Sequence, residues 1–149
     1  IDLGFNYRIT DIQAALGESQ LQRIDDFVER RRFLAGRYDA ALSDLPLLTP
    51  WQDPGNRSAW HLYVIRLKLD ELSEGRRQIF EKLRGRGIQV NVHYIPVPAQ
   101  PYFQRRGCRV SDFPESERYY QEAISLPLFF ELSDEDQEYV IATLRSILA

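Results

Sequence analysis

One helical period runs almost unbroken from Thr10 to Leu42, and it constrains this chain more than anything else in it. Ile12, Leu16, Ile24, Phe27, Val28, Leu34, Tyr38 and Leu42 recur at spacings of three, four and their sums, the repeat of one apolar helix face. Thr10, with Gln13 three residues on, predicts a capping box at the start. Asp11 puts negative charge in the first turn, where the helix dipole favours it. Gly17 and Gly36 each weaken the helix by about 1 kcal/mol relative to Ala, and the helix could bend at either. Uninterrupted, the helix is about 48 Å long at ~1.5 Å per residue. A compact body of this chain length is roughly 40 Å across. The helix therefore overhangs its own domain, and its N-terminal half is expected to pack on a further domain or a second subunit.

The rest of the chain alternates short strands with helices. Pro46, Pro50, Pro54 and Gly55 mark a loop. Ala59 to Leu69 reads as a strand, with Trp60, Leu62 and Val64 on one face and His61, Tyr63, Ile65 and Leu67 on the other. Ser73 to Arg84 reads as a helix that Gly85 and Gly87 end. Ile88 to Ile95 is expected to be a second strand: Ile88, Val90, Val92 and Tyr94 point one way and Gln89, Asn91 and His93 the other. Tyr102 to Gly107 is a loop or short helix, and Pro114 opens a helix to about Gln121. Ala123 to Leu126 is a short third strand, and Ser133 caps a last helix with Asp134, Glu135 and Asp136 at its positive end. The expected architecture is α/β (α+β): a long N-terminal helix and a small three-stranded sheet covered by helices.

Composition narrows the class of activity. Nineteen Lys and Arg against twenty-two Asp and Glu give a net charge of −3, which argues against a dedicated nucleic-acid binder. No apolar run approaches the roughly 20 residues that span a bilayer. The lone Cys108 permits no internal disulfide and fits a reducing, cytoplasmic setting. The chain has no Met and starts at Ile1, which reads as a piece of a longer protein. His61 and His93 have no Cys or carboxylate at ligand spacing, so a metal site is not expected. Arg30-Arg31-Arg32 lies among Asp25, Asp26 and Glu29 and reads as a solvated helix face.

Two stretches carry candidate chemistry. Gly4-Phe5-Asn6-Tyr7-Arg8 places an amide, a phenol and a guanidinium just before a helix N-terminus, where anions gather; the competing reading is a lead-in loop with Phe5 stapled to the helix. Asn91-Val92-His93-Tyr94-Ile95-Pro96 puts a histidine on the polar face of a strand end, ahead of a turn stiffened by Pro96, Pro98 and Pro101. The competing reading there is a strand edge stopped by proline.

In that order the two stretches resemble one family. Gly4-Phe5-Asn6-Tyr7-Arg8 through Ala14-Ala15-Leu16-Gly17 is similar to the "NYR…AALG" signature of the DegT/DnrJ/EryC1/StrS sugar aminotransferases. Asn91 to Val97 and Gln100-Pro101-Tyr102 resemble the same family's late substrate-facing loop, and Phe113-Pro114 through Leu126-Pro127-Leu128 fits its C-terminal pattern. The version here looks most like the pseudaminic-acid branch, which aminates a UDP-linked 4-keto-6-deoxy-hexosamine; Pro98 stands where that branch often has His.

The resemblance implies a fold type I enzyme dependent on pyridoxal 5′-phosphate (PLP). It implies a homodimer that moves an amino group from a donor such as glutamate to a nucleotide sugar. The chain would be its C-terminal domain, residues 1–42 forming the interface helix with its lead-in and 43–149 the small α/β domain, with the large PLP-binding domain and its Schiff-base lysine lying upstream. Asn6 would contact the cofactor phosphate of the neighbouring subunit, and Tyr7, Arg8, Asn91, Val92, His93 and Tyr94 would face the substrate. No catalytic residue is expected within the chain, since Lys68 and Lys82 match no family lysine motif. Without the resemblance, a ligand-sensing or protein-interaction module with a dimerisation helix explains the same pattern.

Overall fold

A computed structural model describes residues 8–148. The helices are α1 (Asp11–Leu21), α2 (Ile24–Leu42), α3 (Arg76–Gly85), α4 (Pro101–Gln104), α5 (Pro114–Glu122) and α6 (Asp134–Leu148). The strands are β1 (Leu47–Leu48), β2 (Tyr63–Leu67) and β3 (Ala123–Leu126), joined as an antiparallel sheet in the order β1-β2-β3. Leu47 faces Leu67 and Tyr63 faces Leu126. The expected α/β architecture is the observed one, and the third strand has the expected ends.

Strand alternation splits the sheet into two unlike faces. Tyr63, Ile65 and Leu67 of β2 and Ile124 and Leu126 of β3 are buried on one face. Leu34, Tyr38 and Leu42 of α2, Ile79 and Leu83 of α3, and Val140, Ile141 and Leu144 of α6 complete that core. Each such side chain contributes about 1.5–3 kcal/mol on burial. The other face carries Leu48, Leu62, Val64 and Arg66 and, with Trp51 and Tyr119, lines an open groove of about 720 Å³.

The long helix is two helices. Its break falls at Gln22-Arg23, while Gly17 and Gly36 each lie inside an uninterrupted helix. Arg23 N–H donates to the Gln20 carbonyl in a tightened turn, and Phe27 N–H restarts the ladder on the Arg23 carbonyl. Phe27 packs edge-on against Phe130 at 4.7 Å, so α2 begins where the chain first meets the domain. The capping box of α1 is present, with Gln13 N–H donating to Thr10 Oγ1 and Thr10 N–H to Gln13 Oε1. Yet α1 buries no residue: Ile12 is 84% and Leu16 63% exposed.

The expected strand Ile88–Ile95 does not form. Ile88 and Val90 point into the core as expected, but only Asn91 pairs, in a single bridge with Ser125. The reason lies in β3. Extending that register would set Gln89 against Pro127, which has no N–H, and His93 against Ala123, whose N–H is given to the Tyr119 carbonyl. Tyr94, expected to share the inward face, is 73% exposed. The strand at Ala59 starts later, at Tyr63, because Trp60 takes the left-handed backbone conformation (φ 49°). The two-residue β1 lies in the stretch expected to be loop.

The Arg30-Arg31-Arg32 run is not a solvated face. Arg31 donates to the carbonyls of Trp60, His61 and Leu128 at 3.0–3.1 Å. Arg30 donates to the Leu132 carbonyl and Asp134, and Arg32 to the Ser58 carbonyl. Loop carbonyls with no ladder partner need donors, and a guanidinium offers five in a fixed fork.

Candidate functional site

The site is built where the chain leaves α3 and crosses the free edge of β3. Asn91 N–H donates to the Ser125 carbonyl at 3.2 Å, and Ser125 N–H returns to the Asn91 carbonyl at 2.8 Å. This backbone pair fixes Asn91 and brings His93 over Ser125, whose side chain is on the sheet face opposite Ile124. His93 Nδ1 lies 2.8 Å from Ser125 Oγ, and its Nε2 lies 3.3 Å from Asn91 Nδ2. Asn91 Oδ1 accepts from Val92 N–H at 2.8 Å. Tyr94 stacks edge-on against the imidazole, ring centres 4.6 Å apart, and its own ring stands in solvent. Pro96 opens a short 3-10 turn, Val97–Ala99, and Gln100 Nε2 donates back to the Ile95 carbonyl. Beyond it, Gln100, Pro101, Tyr102, Phe103 and Arg105 line a shallow groove of about 440 Å³.

Of the residues expected from the sequence, the structure joins Asn91, Val92, His93 and Tyr94 in one cluster. Arg8 is exposed at the start of the described chain, and no hydrogen bond or ion pair among the described residues links it to that cluster. Asn6 and Tyr7, with the Phe5 staple, lie outside the described residues. Sequence reading missed Ser125. Its only signal is being the one hydroxyl in the buried run Ala123-Ile124-Ser125-Leu126.

Lys82 is paired with Glu74 at 2.6 Å and Lys68 with Glu71 at 3.3 Å, and both belong to other parts of the surface. Among the described residues, no group of three or more His, Cys, Asp or Glu could hold a metal ion. Among them, too, no helix is long and apolar enough to cross a membrane.

The model of the DegT/DnrJ/EryC1/StrS aminotransferase family matches residues 1–145. The chain is 39% identical over 148 residues to the spore coat polysaccharide biosynthesis protein SpsC of Bacillus subtilis, covering 97% of this chain and 38% of that one. Among solved structures it superposes on the PLP form of the putative sugar aminotransferase Spr1654 from Streptococcus pneumoniae with a TM-score of 0.85 and 31% identity, covering 94% of this chain and 36% of that one. Helicobacter pylori PseC, an aminotransferase involved in the biosynthesis of pseudoaminic acid, gives a TM-score of 0.84 at 29% identity, covering 99% and 40%. The chain thus spans well under half the length of the relatives it matches.

Proposed function

We propose, on the premise that this chain belongs to the DegT/DnrJ/EryC1/StrS aminotransferase family, that it is the C-terminal domain of a PLP-dependent nucleotide-sugar aminotransferase. The observation that carries the reading is the extent of the family match: it runs through residues 1–145 and so includes both the Asn6 stretch and the His93 loop. The amino group comes from glutamate and goes to a UDP-linked 4-keto-6-deoxy sugar; the likeness to PseC supports that choice of sugar. PLP, held with its lysine by the part of the protein outside this chain, supplies the electron sink for the transfer. Residues 1–42 serve the domain and dimer interfaces of a cytoplasmic homodimer, and residues 43–149 form the small domain.

Within that scheme the chain's residues bind and orient. Asn6 donates to the cofactor phosphate of the neighbouring subunit, and Tyr7 and Arg8 flank it. Asn91, Val92, His93 and Tyr94 line the sugar-nucleotide side, with Pro96 and Pro98 limiting the entropy lost when the loop engages a ligand.

The test is a transamination assay on the full-length protein with PLP, glutamate and a UDP-4-keto-6-deoxy-hexosamine. The full-length protein is expected to form the amino sugar and the 149-residue chain alone to form none. A full-length protein that binds neither PLP nor the keto-sugar overturns the proposal in favour of a ligand-sensing module.

A further inference from the structure

Nothing in the family match speaks for Ser125, and the hydrogen bonds around it determine more than position. Val92 N–H can only donate, so the Asn91 atom it meets at 2.8 Å is the carbonyl oxygen. The amide NH₂ of Asn91 is therefore the group 3.3 Å from His93 Nε2. An NH₂ group can only donate, so Nε2 is the bare, accepting nitrogen. A neutral imidazole has one proton, and it must then be on Nδ1, 2.8 Å from Ser125 Oγ, which accepts it. Ser125 is only 4% exposed, so no bulk water competes for that bond.

We propose that the Asn91 amide, donating to Nε2, holds the neutral imidazole of His93 in its Nδ1–H tautomer, with Ser125 as the positioning residue whose Oγ accepts that proton. A ligand group that meets Nε2 in this tautomer is a hydrogen-bond donor, a hydroxyl or an amide N–H. The ligand half of this inference rests on the aminotransferase reading; the tautomer half does not.

Only two histidines are present, so long-range ¹H–¹⁵N correlation of the imidazoles in the ¹⁵N-labelled chain at alkaline pH resolves both, with His61→Gln to assign them. The expected His93 pattern is a protonated, pyrrole-type Nδ1 and a bare, pyridine-type Nε2. Ser125→Ala keeps the backbone pair with Asn91 but leaves the Nδ1 proton without its acceptor, so part of His93 is expected to shift to the Nε2–H form against the Asn91 amide, while Ser125→Thr restores the wild-type pattern. A wild-type Nε2–H pattern overturns the tautomer assignment, and a Ser125→Ala spectrum identical to wild type overturns the role of Ser125. In the full-length enzyme, Ser125→Ala is expected to raise KM for the keto-sugar about tenfold with kcat within a few-fold, with recovery in Ser125→Thr. An unchanged KM overturns the ligand half. Neither spectroscopic result bears on the aminotransferase reading, which is judged by turnover in the wild-type protein.

Discussion

Glu122 is the residue on which three elements meet. Its side chain is 12% exposed, at the junction of α5 and β3, with Arg66 of β2 at 2.7 Å and Arg118 of α5 at 3.0 Å. Burial alone would raise its pKa, but the hydrogen bonds and charges of Arg118 and Arg66 outweigh burial and hold it below its ordinary 4.5. A carboxylate depressed in the fold contributes stability that is present above the unfolded value and is lost as pH falls through the folded one. Glu122→Gln is therefore expected to cost about 1–2 kcal/mol at neutral pH. Urea denaturation at pH 7 and at pH 3 should show the gap from wild type closing in acid. Arg31 acts through hydrogen bonds to backbone rather than through charge pairing. Its guanidinium holds three carbonyls of two loops, including that of left-handed Trp60. Arg31→Ala strands those acceptors and is expected to lower stability by about 2–4 kcal/mol, with the Tm as readout.

At the scale of elements, α1 and α2 share one sequence period but not one energy source. α2 buries Leu34, Ala35, Tyr38 and Leu42, and its polar groups are tied to α6, with Gln137 Nε2 donating to the Leu34 carbonyl at 2.7 Å. α1 has a complete capping box and eleven residues, and it buries nothing. A helix that short is marginal in water without tertiary contacts. In dilute solution its amides are expected to exchange by local fraying, orders of magnitude faster than those of β2 and β3. Hydrogen-exchange mass spectrometry on peptides covering 11–21 and 63–67 checks this. Equal protection in the two peptides would mean that α1 is held by the domain after all.

For the whole molecule, one side is finished and the other is not. The core between the sheet and α2, α3 and α6 is closed, whereas Ile9, Ile12, Leu16, Leu21 and Ile24 are all exposed along one end. Apolar patches of more than a few hundred Å² seldom stay bare. The 149-residue chain is accordingly expected to self-associate as its concentration rises, with α1 amides slowing in step. Ile12→Ser with Leu16→Ser should leave the Tm of the domain within a degree or two and abolish the association seen by sedimentation. A wild-type chain that stays monomeric at millimolar concentration would show that α1 alone offers too little surface to bind a second copy.

How far the sequence determines this protein depends on the range of the interaction concerned. The capping box at Thr10, the start of α6 after Ser133, the inward face of α2 and the bounds of β3 are local matters of period and side-chain chemistry, and each is legible in the order of residues alone. The break at Gln22-Arg23 is not, because it depends on Phe27 meeting Phe130 across the fold. Nor is the single bridge at Asn91, which replaces a full strand because Pro127 and Ala123 on the facing strand have no N–H to offer. The arginine run reads as surface because loop carbonyls seeking donors leave no trace in a charge pattern. His93 and its neighbours stand out by composition and by family motif, but the hydroxyl that meets its Nδ1 belongs to Ser125, 32 residues away in sequence. Periodicity sees only the residues within a turn or two, whereas the unpaired donors and acceptors that shape this site are decided where distant segments touch.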